Sequence, residues 1–185
     1  MHLRIVGLVA ALMGVIAMVE VRPAPTRLHA AVPPPSVDLA GPVLSVLPIA
    51  GLTARDLHDN FSERRGATLH EAIDIMEPRG TPVRAVVDGT IAKLFLSRAG
   101  GNTIYLFDSG RVYSYYYAHL DRYADGLHEG QRVSAGDVIA YVGSTGNASA
   151  SAPHLHFTIF ELEPEKRWWK GTPVNPYPIL IRMVR

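Results

Sequence analysis

Cysteine is absent from the 185-residue chain. That excludes disulfides and thiolate metal sites, so any zinc bound here must rest on histidine and carboxylate ligands. Charge of one sign is also missing. The formal net charge is +1 and the pI is about 8.1, which leaves no electrostatic footprint for nucleic acid. No Gly-x-Ser-x-Gly elbow occurs, so a serine hydrolase of that type has no support. The chain also has no internal repeat.

Long apolar runs are limited to one. Arg4 precedes an unbroken apolar stretch from Ile5 to Val19, which ends at Glu20. It is at the upper limit of a signal-peptide core and short for a membrane span, which takes roughly 17–25 residues. The best small-residue cleavage point, after Ala30 with Leu28 at the minus-three position, lies far from Val19. Residues 1–21 therefore read as an uncleaved N-terminal anchor, with a removed signal peptide as the alternative. Either way the remainder is expected outside the cytoplasmic membrane. From Arg22 to Pro48 fall seven of the fourteen prolines. Proline favours the extended polyproline conformation, so residues 22–48 read as a linker reaching roughly 80 Å at full extension. Val43 to Leu47 are the part expected to wrap the domain that follows, residues 49–185.

That domain has β texture. Thr81 to Val87, Thr90 to Ser97, Thr103 to Phe107, Arg111 to Leu120, Asp137 to Val142 and His154 to Leu162 are rich in β-branched and aromatic residues. Turn signals such as Asp88-Gly89 and Gly143 to Asn147 separate them, a spacing that argues an all-β sandwich or barrel. Only Arg55 to Arg65 is polar enough for a short helix or loop.

Within this texture, Pro153-His154-Leu155-His156-Phe157 stands out. On a strand, His154 and His156 share one side while Leu155 and Phe157 point into the packing. Two adjacent imidazoles suit a metal better than a core. His70 and Asp74, four apart, share a face if extended and lie one turn apart if helical. His119 follows the run Tyr115-Tyr116-Tyr117-Ala118, at least one of whose tyrosines must face outward. His58 and His128 sit in polar segments and are read as solvated. Trp168-Trp169 fits either a rim contact for a glycan or peptide, or packing over a loop. His70-Glu71-x-x-Asp74 also permits a helical site with Glu71 as base, though nearby proline and glycine argue against a long helix.

His70-x-x-x-Asp74, Tyr117-Ala118-His119-Leu120 and His154-Leu155-His156-Phe157, in that order, resemble the lysostaphin-type (M23, LytM-like) zinc metallopeptidases. Gly80-Thr81-Pro82-Val83, Asp88-Gly89-Thr90, Gly101-Asn102, Gly143-Ser144-Thr145-Gly146 and Val174-Asn175-Pro176 extend the resemblance from about Leu52 to about Leu180. Ala72 stands where that family usually has glycine. The resemblance implies a mainly β, antiparallel barrel-sandwich hybrid with few helices, the lysostaphin-like duplicated hybrid motif. It implies one zinc per chain, held by His70, Asp74 and His156, with bound water brought to a pKa of about 7. His119 and His154 then remain as general base and oxyanion donors. The implied substrate is the peptide of peptidoglycan, cut at a glycine bridge or a D-alanyl–diaminopimelate link. The implied location is the periplasm or cell envelope, tethered to the inner membrane by the N-terminal segment. A non-catalytic cell-wall-binding or activator module is the alternative; a purely structural zinc protein leaves His119 and His154 unexplained.

Overall fold

The computed structural model describes residues 41–185, so the expectations for the apolar N-terminal run and for residues 22–40 lie outside the described residues. Two short strands come first, β1 (Arg64–Arg65) and β2 (Thr68–Leu69), paired antiparallel. Their tight turn starts at Gly66, whose φ of 66° suits a two-residue hairpin loop. Next come β3 (Ile73–Met76), β4 (Pro82–Arg84), β5 (Gly89–Ser97) and β6 (Gly101–Asp108). β7 (Tyr113–Tyr123), β8 (Arg132–Val133), β9 (Val138–Val142), β10 (His154–Leu162) and β11 (Gly171–Val174) complete a nine-stranded antiparallel sheet.

Its main path runs β11-β10-β7-β6-β5-β8, with β3 added beside β10, and β9 bridging β7 and β4. The architecture is mostly antiparallel β, as expected, and the sheet does not close into a barrel. Side-chain alternation builds its core. Leu155, Phe157 and Ile159 of β10 are fully buried with Tyr117 of β7, Ile104 and Leu106 of β6, and Ile73 and Ile75 of β3. Each such side chain contributes roughly 1.5–3 kcal/mol relative to exposure.

One helix occurs among the described residues, α1 (Tyr177–Met183). The sequence offers a candidate helix only at Arg55 to Arg65, and α1 starts instead between Pro176 and Pro178. Proline is tolerated in a first turn, where its missing N–H would have no intrahelical acceptor. Asn175 Oδ1 accepts from Tyr177 N at 2.9 Å, and Leu180 buries its side chain. Arg55 to Arg65 forms turns leading into β1, the loop outcome of its two expected ones. Leu44 is buried, and Ser45 and Val46 both donate to Val86 O, so this part of the proline-rich stretch lies on the domain surface.

Candidate active site

β10 lies between β3 and β7 at its N-terminal half. Its register sets His156 directly opposite Asp74 of β3 on one side and Ala118 of β7 on the other. Because Leu155 and Phe157 are fully buried in the core, His154 and His156 project from the opposite face. His70 enters from the turn after β2. The next residue, Glu71, has a φ of 56°, a left-handed angle costly outside glycine and typical of over-determined sites. Thr158 Oγ1 donates to Glu71 O at 2.8 Å and pins that turn to β10. His70 Nε2 is thereby 3.0 Å from Asp74 Oδ1 and 3.1 Å from His156 Nδ1. His156 Nδ1 and Asp74 Oδ1 are 3.1 Å apart.

His119 reaches the same place by a different device. Strict alternation along β7 would send it into the core behind Tyr115 and Tyr117. Instead Ile104 pairs with Tyr117 and Asn102 with Leu120, so Ala118 and His119 together oppose the single residue between them on β6. This β-bulge, with His119 at φ 58°, inverts the alternation and re-aims the side chain. Leu120 takes the core position, and the His119 ring lies 4.8 Å from that of His154 and 5.5 Å from that of His156. The bulge is fastened from outside. His119 N donates to Gly100 O at 2.7 Å, Thr145 Oγ1 donates to Leu120 O at 2.7 Å, and Asn102 Nδ2 donates to Asp121 O at 3.1 Å.

Carbonyl oxygens orient three of the imidazoles. His70 Nδ1 lies 3.1 Å from Asn60 O, His119 Nδ1 lies 2.9 Å from Thr145 O, and His154 Nδ1 lies 2.9 Å from Ala152 O. A carbonyl can only accept, so each Nδ1 carries the hydrogen and each Nε2 turns a lone pair into the cleft. Burial lowers the His119 pKa to about 4 and also lowers that of His156, favouring the neutral ring. Burial works against the Asp74 carboxylate too, but its contacts to His156 and His70 outweigh this and hold its pKa far below the ordinary value.

These donors fit a metal. Neither His70 Nε2 nor Asp74 Oδ1 has a hydrogen, and His156 Nδ1 can supply one at most. Three such atoms 3.0–3.1 Å apart need a cation or a proton among them. A tetrahedral zinc with ligands at 2.0–2.1 Å would set its ligand atoms roughly 3.3 Å apart, close to this spacing. The second carboxylate oxygen, Asp74 Oδ2, accepts from Arg65 Nη2 at 3.0 Å, and Asp74 N donates to Asn60 Oδ1 at 3.2 Å. The surrounding cleft of 460 Å³ is lined by Arg65, His70, Asp74, His119, His154 and His156, with Asn147 to Ser149 as a rim.

The family model described as Peptidase family M23 matches residues 68–176, more than half of the chain. The chain belongs to peptidase family M23. It is similar to an L-Ala–D-Glu endopeptidase of Bacillus subtilis (strain 168), at 34% identity over 120 residues, 62% of this chain and 35% of that protein. It is also similar to the DD-carboxypeptidase/endopeptidase Mpg of Neisseria meningitidis serogroup B (strain MC58), at 40% identity over 115 residues, 61% of this chain and 23% of that protein. The match thus spans 35% and 23% of the length of these curated relatives. Among solved structures, it resembles the catalytic domain of the antimicrobial peptidase lysostaphin from Staphylococcus simulans. That likeness has a TM-score of 0.52 and 34% identity, covering 60% of this chain and 79% of that one.

The M23 domain brings His70, Asp74, His119, His154 and His156 together, and the other sequence candidates fall elsewhere. His58 and His128 are exposed and outside the cleft. Glu71 sits in a left-handed turn rather than on a helix and does not line the cleft, which removes the helical reading in which it served as base. Ala72, in the family's usual glycine position, is fully buried, and the unusual angle falls on Glu71 beside it. The outward member of the tyrosine run is Tyr116, whose ring stands 6.0 Å from that of His156. Asn60, Arg65 and the Ala152 carbonyl escaped sequence reasoning. All act across long separations or through the backbone, where residue type carries little signal.

Proposed function

We propose that this chain is a zinc-dependent endopeptidase that hydrolyses the peptide cross-links of peptidoglycan, with one zinc per chain. The observation that carries the reading is the convergence of His70 Nε2, Asp74 Oδ1 and His156 Nδ1 at 3.0–3.1 Å, with two further imidazoles beside them. His70, Asp74 and His156 would hold the metal, which when bound supplies Lewis acidity and a nucleophile at neutral pH. Asn60 fixes the His70 tautomer, and Arg65 holds Asp74 Oδ2 so that Oδ1 faces inward.

His119 and His154 perform the proton work. Each keeps its hydrogen on Nδ1, tied to a carbonyl, and presents a free Nε2 to the cleft. The neutral state favoured by burial lets His119 accept the proton released as water attacks. Once protonated, such a ring donates to the developing oxyanion or the departing amine. The substrate class rests on the relatives, whose names describe endopeptidases of L-Ala–D-Glu bonds and DD-carboxypeptidase/endopeptidases. Export through residues 5–19 and tethering at the inner membrane complete the proposal, and favour a D-alanyl–diaminopimelate link over a glycine bridge.

Incubating intact sacculi with the full-length protein and resolving the fragments by mass tests this. Cross-linked dimers should fall and monomers rise, with no change for His154→Ala. A constant dimer fraction with zinc-loaded protein would reject cutting and favour the binding module.

A further inference from the structure

A second and larger cleft, of 870 Å³, lies beyond the histidines along the same side of the sheet. The segment between β10 and β11 forms one wall, and β5, β6 and β8 the other. Trp169 is 58% exposed, the highest value for any aromatic side chain among the exposed large hydrophobics of the described residues. Its plane is set by a T-shaped contact to Trp168 at 5.1 Å. Trp168 rests in turn on Phe95 at 5.3 Å and Tyr105 at 4.8 Å. An indole held by its neighbours but left open to solvent is a ready-made stacking platform.

The polar groups of the cleft narrow the ligand class. Asp88, Asp108 and Glu165 face it together with Arg111, Arg132 and Arg167. Asp88 and Asp108 each commit one oxygen to a backbone N–H, of Ala135 and Tyr113, and keep a second as acceptor. Arg111 stacks on Phe107 at 5.0 Å, with its N–H groups at the guanidinium edge. A polyanion meets three carboxylates here, a polycation meets the arginines, and a purely apolar ligand would strand both sets. A sugar suits all of them. Its C–H face stacks on an aromatic ring, while its hydroxyl and amide groups both donate and accept.

The two clefts share no lining residue, but a row of aromatic rings connects them. Ring contacts run from His156 to Tyr116 at 6.0 Å, to Tyr105 at 4.7 Å, to Trp168 at 4.8 Å and to Trp169 at 5.1 Å. Laid end to end these steps come to about 21 Å, the reach of roughly six extended residues. Peptidoglycan joins peptides to glycan strands, so a peptide bond at the histidines leaves a sugar within reach of the tryptophans.

We propose that this cleft is a glycan-binding subsite that stacks an amino-sugar ring of the peptidoglycan strand on Trp169. The inference rests on peptidoglycan being the substrate but not on its being cut. The probe is therefore peptide-free glycan, made by stripping the stem peptides from sacculi and titrated calorimetrically into the full-length protein. Saturable binding is expected. Trp169→Ala should weaken it by about tenfold or more, and Trp169→Phe should restore part of the loss, at an unchanged melting temperature. No binding by the wild-type protein, or equal binding by Trp169→Ala, would overturn the subsite while leaving peptide hydrolysis to be judged separately. If Trp169→Ala weakened binding of a sugar-free stem peptide and left glycan binding unchanged, the cleft would be a peptide subsite and the proposal would fail.

Discussion

The two ends of one sheet face are built in opposite ways. At the histidine end, three imidazoles are tied to carbonyl oxygens of two loops, one before β1 and one between β9 and β10, and the bulge that carries His119 is laced to Gly100, Asn102 and Thr145. At the tryptophan end, rings lean on rings, and Trp169 stays largely open. The first arrangement fixes tautomers and lone-pair directions, which metal binding and proton transfer demand within fractions of an ångström. The second offers area and tolerates small displacements, which suits capture. Substitutions should accordingly be steep at one end and shallow away from it.

The steepest effect is expected at Asp74. Asp74→Ala removes the anionic ligand and leaves His70 and His156 alone, so zinc content measured by elemental analysis should drop from one per chain to near zero, together with turnover. Full zinc in that variant would show the ligand set to be wrong. Next come His119→Ala and His154→Ala. Each should keep zinc and lose turnover by roughly 10²–10⁴-fold, the range for a positioned acid or base. Near-normal turnover in both would remove them from the mechanism.

Backbone changes test the lacing. Gly146 has φ 78°, and a Cβ there would lie 2.2 Å from Ala99 O and 2.3 Å from Gly101 N. Gly126 has nearly the same φ, 76°, with nothing within 4 Å. Gly126→Ala should cost only the left-handed backbone term, about 1–3 kcal/mol in urea unfolding. Gly146→Ala should cost more and also slow turnover, because its neighbour Thr145 holds His119. Equal costs would mean that the loop contact carries no weight.

Much of this was legible in the sequence, and the limits are physical. His154 to Leu162 forms a strand with the expected bounds because its alternation is uninterrupted. The five site residues could be picked out because the chemistry is in the side chains. The bulge at His119 was not, since alternation through Tyr115 and Tyr117 points that side chain inward, and only cross-strand register reverses it. β11 and α1 escaped notice because Gly171, Pro173, Pro176 and Pro178 read locally as breakers, whereas pairing with β10 and burial of Leu180 override them. Asn60 and Arg65 lie in a polar stretch that resembles any surface loop until β3 and β10 fold against it.

Acid sensitivity should be milder. In the metal-free protein, burial holds the His119 pKa near 4, against 6.5 for an unperturbed histidine, and His156 shifts the same way. The unfolded chain therefore binds more protons as pH falls through 6.5. The stabilising contribution is fully present above that value and is lost progressively towards pH 4. Denaturation midpoints of chelated protein should decline across this window, and less so in His119→Ala. The smallest effects belong to His58→Ala and His128→Ala. Both residues are exposed and outside the cleft, so zinc content and turnover should stay within about twofold of wild type.

The division of the five residues into three metal holders and two proton carriers is tested most directly by X-ray absorption at the zinc edge of the full-length, zinc-loaded protein. Two imidazole nitrogens at about 2.0–2.1 Å, accompanied by oxygen from Asp74 and solvent, are predicted. A shell containing three or four imidazoles would contradict the account, because His119 or His154 would then be holding the metal.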